Sequence, residues 1–270
     1  MFGKLLKYEI KSVGKWYFAL YGAILFCATI LGLYISRFNN DSRINGEFFL
    51  EGREPSTSEA IIMLAIILIF VSLIIGIGIS TFFIIVNRFN KNIFGREGYL
   101  TLTLPVSTHQ IILSKLFASL MWSLLSSIVL LLSIFLLILP SIPLDELFLY
   151  LPSITANIHV DIFLIVLSYI IVSSITSILM LYLAISIGQL FQDKRALMGF
   201  VAFFAIGILI AIIKQLIFGD TNLSDDSYYI DSNFLSIKLF FIREIFINLF
   251  ISAVYYFGTH YIIKNKLNIQ

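Results

Sequence analysis

The stretch "AIIMLAIILIFVSLIIGIGISTFFIIV", Ala60–Val86, decides the class of fold. It contains 27 residues and no charged side chain, and its apolar residues do not alternate with polar ones. A helix needs about 20 apolar residues to cross the roughly 30 Å hydrocarbon core of a bilayer. A membrane strand has about 10 residues of alternating polarity. The stretch therefore predicts a transmembrane helix.

The rest of the chain has the same character. Of its 270 residues, 59% are hydrophobic and only 13% are charged, against about 25% charged in soluble domains. Six apolar runs are long enough to span a bilayer: Trp16–Ser36, Ala60–Val86, Ile111–Leu139, Ile162–Ile187, Ala196–Phe218 and Phe240–Ile263. We predict an all-α integral membrane protein with six transmembrane helices, which form a single transmembrane domain over residues 1–270.

The distribution of charge predicts the orientation of these spans. The N-terminus, the 87–115 and 188–195 connections and the C-terminus together hold 12 of the 18 Lys and Arg residues but only three of the 16 acids. An excess of Lys and Arg marks the cytoplasmic side of a membrane protein. We therefore expect both termini in the cytoplasm.

The N-terminal segment Met1–Lys15 predicts a cytoplasmic amphipathic helix. Its lysines at positions 4, 7, 11 and 15 alternate with apolar residues at helical spacing. That pattern is typical of a helix that lies on the membrane surface. A solvated basic tail is the alternative.

The predicted spans contain almost no ionisable side chain. Asp161, Lys214 and the pair Arg243–Glu244 lie near predicted outer ends. Carriers driven by ions or protons need buried ionisable groups along their path, so the sequence argues against that class. Serines recur every four residues at 119, 123 and 127, and the fourth span is rich in hydroxyl groups. Such stripes favour close helix packing with weak hydrogen bonds between helices.

The sequence offers little support for an enzyme. The three histidines are His109, His159 and His260. No zinc-protease, nucleophile-elbow or phosphate-loop motif is present. His159 and Asp161 form a possible pair of metal ligands without an obvious third. We expect no catalytic residue, no metal and no cofactor on this chain.

The connection "IFGREGYLTLTLPVSTHQIILSK", Ile93–Lys115, is unusually ordered for a loop. Its alternation suggests a strand, but no second strand is available for pairing, so a short helix over Ile93–Leu104 is favoured. Pro105 separates that element from the next span. Ser107 and Gln110 have the spacing of a capping box, which places a helix start near Thr108.

This connection resembles the one between the second and third spans of ABC-2-type transporter permeases, the membrane subunits of ATP-binding cassette exporters. The matching residues are Glu97, Gly98, Leu100, Pro105, Val106, Ser107 and Lys115. Tyr99 replaces the threonine that is common in the family. The matching pattern covers about 20 residues, and the six-span architecture extends the resemblance along the chain.

The resemblance implies that this connection is a coupling helix that docks on a separate ATPase subunit. The expected interface residues are Arg96, Glu97, Gly98 and Tyr99, and the hinge and cap of the segment are Pro105, Ser107 and Gln110. The 188–195 connection would form a smaller contact through Asp193, Lys194 and Arg195. The alternative for this second cluster is an ordinary anchor of positive charge on the cytoplasmic side.

The same resemblance implies the partners and the location. Two ATPase copies would carry ATP and Mg²⁺, and a second permease copy or a sister permease would enclose the path, with spans 1, 2 and 5 lining the interface. The location would be a bacterial plasma membrane and the cargo an amphipathic peptide, antibiotic or lipid, with no nucleic-acid partner. Two alternatives stay open: an intramembrane enzyme, and a membrane scaffold or sensor subunit that transports nothing.

Overall fold

Helices make up all the regular structure in the described part of the chain. The computed structural model describes residues 2–40, 56–95, 107–142, 160–191, 193–218 and 230–266, and no strand occurs among them. The six long helices are α1 (Phe2–Asn40), α2 (Thr57–Phe89), α3 (Thr108–Ile138), α4 (Val160–Gly188), α5 (Arg195–Phe218) and α6 (Ile230–Asn265). A π-helical turn, Asn90–Phe94, follows α2, and a 3-10 turn, Leu139–Ser141, follows α3.

Five helical segments in the described ranges are long and apolar enough to cross a membrane. They are Gly14–Arg37, Thr57–Phe89, Thr108–Ser141, Val160–Gly188 and Arg195–Ile217. Five of the six predicted spans coincide with them to within three residues at each end. The remaining prediction, Phe240–Ile263, falls inside α6, which is not one of the five. The prediction of an all-α membrane protein is confirmed at the level of these five helices.

The first helix runs without a break from the basic N-terminal segment into the first span. α1 has 39 residues, which corresponds to a length of about 58 Å at the rise of an α-helix. The lysine spacing correctly predicts that residues 2–13 are helical. However, these residues are the first turns of the same helix as the span, rather than a separate helix.

The described residues divide into two compact units, and α1, α2 and α3 each contribute residues to both. Unit 1 contains the described residues of Met1–Leu6, Ile84–Leu120 and His159–Gln270. Unit 2 contains those of Lys7–Phe83 and Met121–Ile158.

Unit 1 is built around α4, which packs against both α5 and α6. The start of α5 lies very close to the end of α4, since a Cβ on Gly188 would stand only 2.6 Å from the Gly199 nitrogen. The Thr176 hydroxyl of α4 is shared between the Val172 carbonyl of its own helix, at 2.9 Å, and the Asn248 carbonyl of α6, at 3.1 Å. Small residues and a cross-helix hydrogen bond thus join these helices, as expected where apolar side chains gain nothing by leaving lipid for protein.

The charged residues that the sequence places near outer span ends are paired within unit 1. Lys214 Nζ of α5 donates to Glu244 Oε2 of α6 over 2.9 Å, and the Glu244 side chain is only 14% exposed. Lys238 of α6 forms an ion pair with Asp161 at the start of α4. Because an isolated charge in an apolar medium is costly, these pairs make the charges tolerable at helix ends.

Unit 2 brings together parts of α1, α2 and α3. The Tyr34 hydroxyl of α1 donates to the Glu59 carbonyl of α2 over 3.2 Å. α2 begins with a reciprocal capping box, in which the Ser56 amide donates to Glu59 Oε2 and the Glu59 amide donates to Ser56 Oγ. The tightest approach is at Gly32, where a Cβ would lie 2.7 Å from the Leu137 carbonyl oxygen of α3.

We therefore predict opposite effects for two glycine substitutions in α1. Gly32→Ala should lower the free energy of unfolding by about 1–3 kcal/mol, because the added methyl group meets backbone oxygen that cannot move away cheaply. Gly22→Ala is the matched control, since nothing lies within 4 Å of its Cβ position. Alanine there should be neutral or stabilising by up to about 1 kcal/mol. Thermal unfolding in detergent measures both, and equal midpoints for the two variants would contradict the close approach at Gly32.

Candidate functional site

The candidate site is the end of unit 1 where α2 leaves for the 96–106 segment, α3 begins and α4 turns into α5. We call it the connection end. Five predicted interface and hinge residues lie outside the described residues: Arg96, Glu97, Gly98, Tyr99 and Pro105. The others are described: Ser107, Gln110, Asp193, Lys194 and Arg195.

α2 ends in a π-helical turn directly before the predicted coupling segment. Asn90–Phe94 form the turn, and the Gly95 amide closes it by donating to the Asn90 carbonyl over 3.1 Å. Gly95 itself is extended, so the predicted helix from Ile93 does not continue through this residue. A Cβ on Gly95 would lie 2.5 Å from the Lys91 carbonyl oxygen, so only glycine fits there. π turns are rare and often occur at functional sites.

The residue that precedes the π turn is held in place by aromatic stacking. Phe89, at the last position of α2, lies parallel to Tyr182 of α4 with ring centroids 3.9 Å apart. The Tyr182 hydroxyl is 2.9 Å from Ser119 Oγ of α3. Both rings are buried and belong to an apolar cluster formed by α2, α3, α4 and α6. The chain therefore leaves for the 96–106 segment from a firmly packed base.

The chain returns from that segment at a capped helix start. The Gln110 amide donates to Ser107 Oγ over 3.3 Å, which is the first of the two hydrogen bonds of the predicted capping box. α3 then begins at Thr108. Lys115, which the family resemblance includes, is only 4% exposed. Most of the Lys115 side chain is thus enclosed by protein two turns into the helix.

The α4–α5 connection is joined to the root of the first connection. Gln189 Nε2 donates to Asn90 Oδ1 over 3.0 Å. Beyond it, Lys194 has a positive φ of 55°, a conformation that costs energy for a residue with a side chain. Its carbonyl accepts from the Met198 amide at the start of α5. The side chains of Asp193, Lys194 and Arg195 are exposed, as a contact surface for a partner requires.

Two of the three histidines meet at the connection end. The rings of His109 in α3 and His260 in α6 are stacked, with centroids 3.9 Å apart and an angle of 14°. His109 Nδ1 also shares a hydrogen bond of 2.7 Å with the Tyr256 hydroxyl. His159 lies outside the described residues. In the described part of the chain, no group of three or more His, Cys, Asp or Glu residues is arranged to hold a metal ion.

A row of polar side chains on α6, which we call the polar ladder, contains Tyr256 and His260 and is not among the sequence predictions. Every fourth residue is polar along most of the helix: Glu244, Asn248, Ser252, Tyr256, His260 and Lys264. Side chains four apart lie on neighbouring positions of one helix face. This spacing was visible in the sequence, but it mixes six residue types. Glu244, at the N-terminal end of the ladder, forms an ion pair with Lys214, and Tyr256, nearer its C-terminal end, forms a hydrogen bond with His109.

Comparison with known proteins adds no relative: no protein family, curated protein or solved structure matches the chain.

We predict that Asn90 and Gln189 are energetically coupled. A double-mutant cycle with Asn90→Ala and Gln189→Ala should give a coupling free energy of about 0.5–1.5 kcal/mol, because either single change already breaks their hydrogen bond. Unfolding of the four proteins in detergent measures it. A control cycle that pairs Gln189→Ala with Ser72→Ala should give almost none, because the Ser72 hydroxyl bonds the Ile69 carbonyl of its own helix. Equal couplings in the two cycles would contradict the link.

Proposed function

We propose that the chain is the membrane subunit of an ATP-driven exporter of the ABC-2 type. The main support is the arrangement around the connection that resembles that family. A π turn precedes this connection and a capped helix follows it. Asn90, in the π turn, is hydrogen-bonded to Gln189 of the 188–195 connection, which is the second predicted contact. Firm attachment of both ends of the connection to the spans suits a segment that transmits force from a partner.

In this proposal the chain has six spans, with Phe240–Ile263 of α6 as the sixth, and both termini are cytoplasmic. The charge bias of the connections supports that orientation. The N-terminal turns of α1 would lie on the cytoplasmic side, where a basic segment is attracted to the anionic inner leaflet. The location would be a bacterial plasma membrane.

The proposed coupling is mechanical. ATP and Mg²⁺ bind on two copies of a partner ATPase, which holds Arg96, Glu97, Gly98 and Tyr99 and makes a second contact at Asp193, Lys194 and Arg195. Movement of the ATPase displaces the 96–106 segment. The displacement passes through the stacked Phe89 and Tyr182 rings into α2 and α4. A second permease copy or a sister permease completes the path for an amphipathic peptide, antibiotic or lipid.

The first test is the identity of what binds the chain. The chain should be expressed with its genomic neighbours, purified in mild detergent by an affinity tag and analysed by mass spectrometry. We expect a stoichiometric ATPase that contains a phosphate-loop motif. Recovery of the chain alone under several gentle conditions would overturn the proposal.

We predict that Glu97→Lys uncouples the partner's ATP hydrolysis from transport. Reversing the charge at a docking surface removes electrostatic complementarity and introduces repulsion. In proteoliposomes, an amphipathic cargo that stimulates ATP hydrolysis by the wild-type complex should fail to stimulate the variant, although the variant elutes normally in size exclusion. Lys266→Glu is the control, an exposed charge reversal after the end of α6. Stimulation retained by Glu97→Lys would count against the assigned interface.

A further inference from the structure

Unit 2 contains a buried cluster of polar and aromatic side chains from three helices. Tyr17 and Tyr21 come from α1, Thr81 from α2, and Trp122 and Ser126 from α3. The rings of Tyr17 and Trp122 are stacked with centroids 4.6 Å apart and an angle of 7°. Tyr21 Oη lies 2.7 Å from Ser126 Oγ, and Thr81 Oγ1 lies 3.5 Å from the same atom.

The hydroxyl protons of three of these residues are already committed. The Tyr21 and Ser126 hydroxyls lie 2.7 Å apart, and the Trp122 carbonyl is within 3.4 Å of the first and 2.9 Å of the second. Whichever of the two donates to the other, both protons are used within this group. Thr81 donates to the Ile77 carbonyl of its own helix over 2.8 Å. Each hydroxyl has one proton, so none of the three can donate further. Their remaining capacity is as acceptors.

Tyr17 and Trp122 each have a hydrogen-bond donor for which the described residues provide no acceptor. Tyr17 Oη and Trp122 Nε1 are enclosed and make no hydrogen bond within the described residues. Tyr17 is 0% exposed and Trp122 is 4% exposed. Thr81 Oγ1 lies near Tyr17 Oη, but the two hydroxyls do not have the geometry of a hydrogen bond.

These two residues do not fit the usual role of aromatic side chains in membrane proteins. Tyrosine and tryptophan at a membrane interface turn their polar atoms toward headgroups and water. When they are buried instead, their O–H and N–H groups normally have a partner. Inside a membrane-spanning segment no bulk water supplies one. The two donors therefore indicate a missing acceptor.

We propose that the Tyr17–Trp122 pair is a binding site for one neutral oxygen atom that accepts hydrogen bonds from Tyr17 Oη–H and Trp122 Nε1–H. An oxygen with two lone pairs matches these two donors. No charged side chain belongs to the cluster, so the oxygen is uncharged. Two sources have this chemistry: an enclosed water molecule and the carbonyl oxygen of an amphiphile such as an ester-linked lipid. Tyr17 lies one turn from the start of the Gly14–Arg37 segment, and lipid ester groups lie near the ends of a segment that crosses a bilayer. The site rests on unit 2 alone and is independent of the transport proposal.

Tyr17→Phe tests whether the site is filled, through the sign of its effect. The variant keeps the ring and its stacking and removes only the hydroxyl. If an oxygen is bound, a hydrogen bond is lost and the unfolding midpoint in lipid nanodiscs should fall by about 2–4 °C. If the site is empty, the variant removes an unsatisfied buried donor and the midpoint should rise or stay unchanged. Tyr21→Phe is the matched control and should lower the midpoint, because the Tyr21 hydrogen bond is made within the protein.

The vibrational spectrum of Trp122 tests the second donor and distinguishes the two sources. The chain has two tryptophans, and Trp16 is 61% exposed, so Trp16→Phe leaves Trp122 as the single reporter. Ultraviolet resonance Raman spectra report whether the indole N–H is hydrogen-bonded. We would record them in nanodiscs of ester-linked phosphatidylcholine and of ether-linked phosphatidylcholine, which lacks the carbonyl groups.

Each outcome decides the proposal. A bonded N–H in both lipids supports the site with water as its occupant. A bonded N–H in the ester lipid alone supports it with the lipid carbonyl as the occupant. A free N–H in both lipids, or a Tyr17→Phe midpoint that does not fall while that of Tyr21→Phe does, overturns the proposal.

Discussion

The absence of water in the bilayer core is the constraint on which the rest of this structure depends. Every backbone amide and carbonyl must find its partner inside the chain, which leaves helices as the solution for long apolar runs. The same constraint acts on the side-chain hydroxyls. Ser168, Ser186 and Thr259 each donate to a carbonyl three or four residues earlier in their own helix. They need no neighbouring helix to be satisfied.

This local satisfaction changes the meaning of the hydroxyl-rich stripes. The expected weak hydrogen bonds between helices occur at Ser119 and Thr176, which contact Tyr182 and Asn248. Ser127, Ser174 and Ser177 bond their own helices. Tyrosine makes many of the other polar contacts between helices. Tyr21, Tyr34, Tyr182 and Tyr256 each place a hydroxyl near a polar atom of another helix. A tyrosine is long enough to cross the gap, and its ring packs against apolar neighbours on the way.

These contacts explain where sequence reasoning succeeded and where it failed. Helix bounds follow from run length and from local signals such as the Ser107 cap, which involve only neighbours in the chain. The sequence does not predict the π turn, because the hydrogen bond from the Gly95 amide to the Asn90 carbonyl that closes it has no sequence signal, and the alternation that follows favours other structures. The stacking of Phe89 on Tyr182 joins residues 93 positions apart, and no local pattern encodes it. The spacing of the polar ladder on α6 can be seen in the sequence, but its partners, Lys214 and His109, can be seen only in the structure.

The connection end of unit 1 and the Tyr17–Trp122 pair of unit 2 differ in how their polar groups are satisfied. At the connection end of unit 1, the Asn90, Gln189 and Tyr182 side chains have hydrogen-bond partners, and Tyr182 belongs to a continuous apolar cluster. A displacement there would act on closely packed side chains. In unit 2, Tyr17 and Trp122 keep donors that the chain itself does not satisfy. Unsatisfied groups mark places where a structure depends on something it does not contain. In the proposed exporter, unit 1 would therefore receive the displacement of the ATPase, and the proposed oxygen site would be the place in unit 2 that depends on a bound molecule.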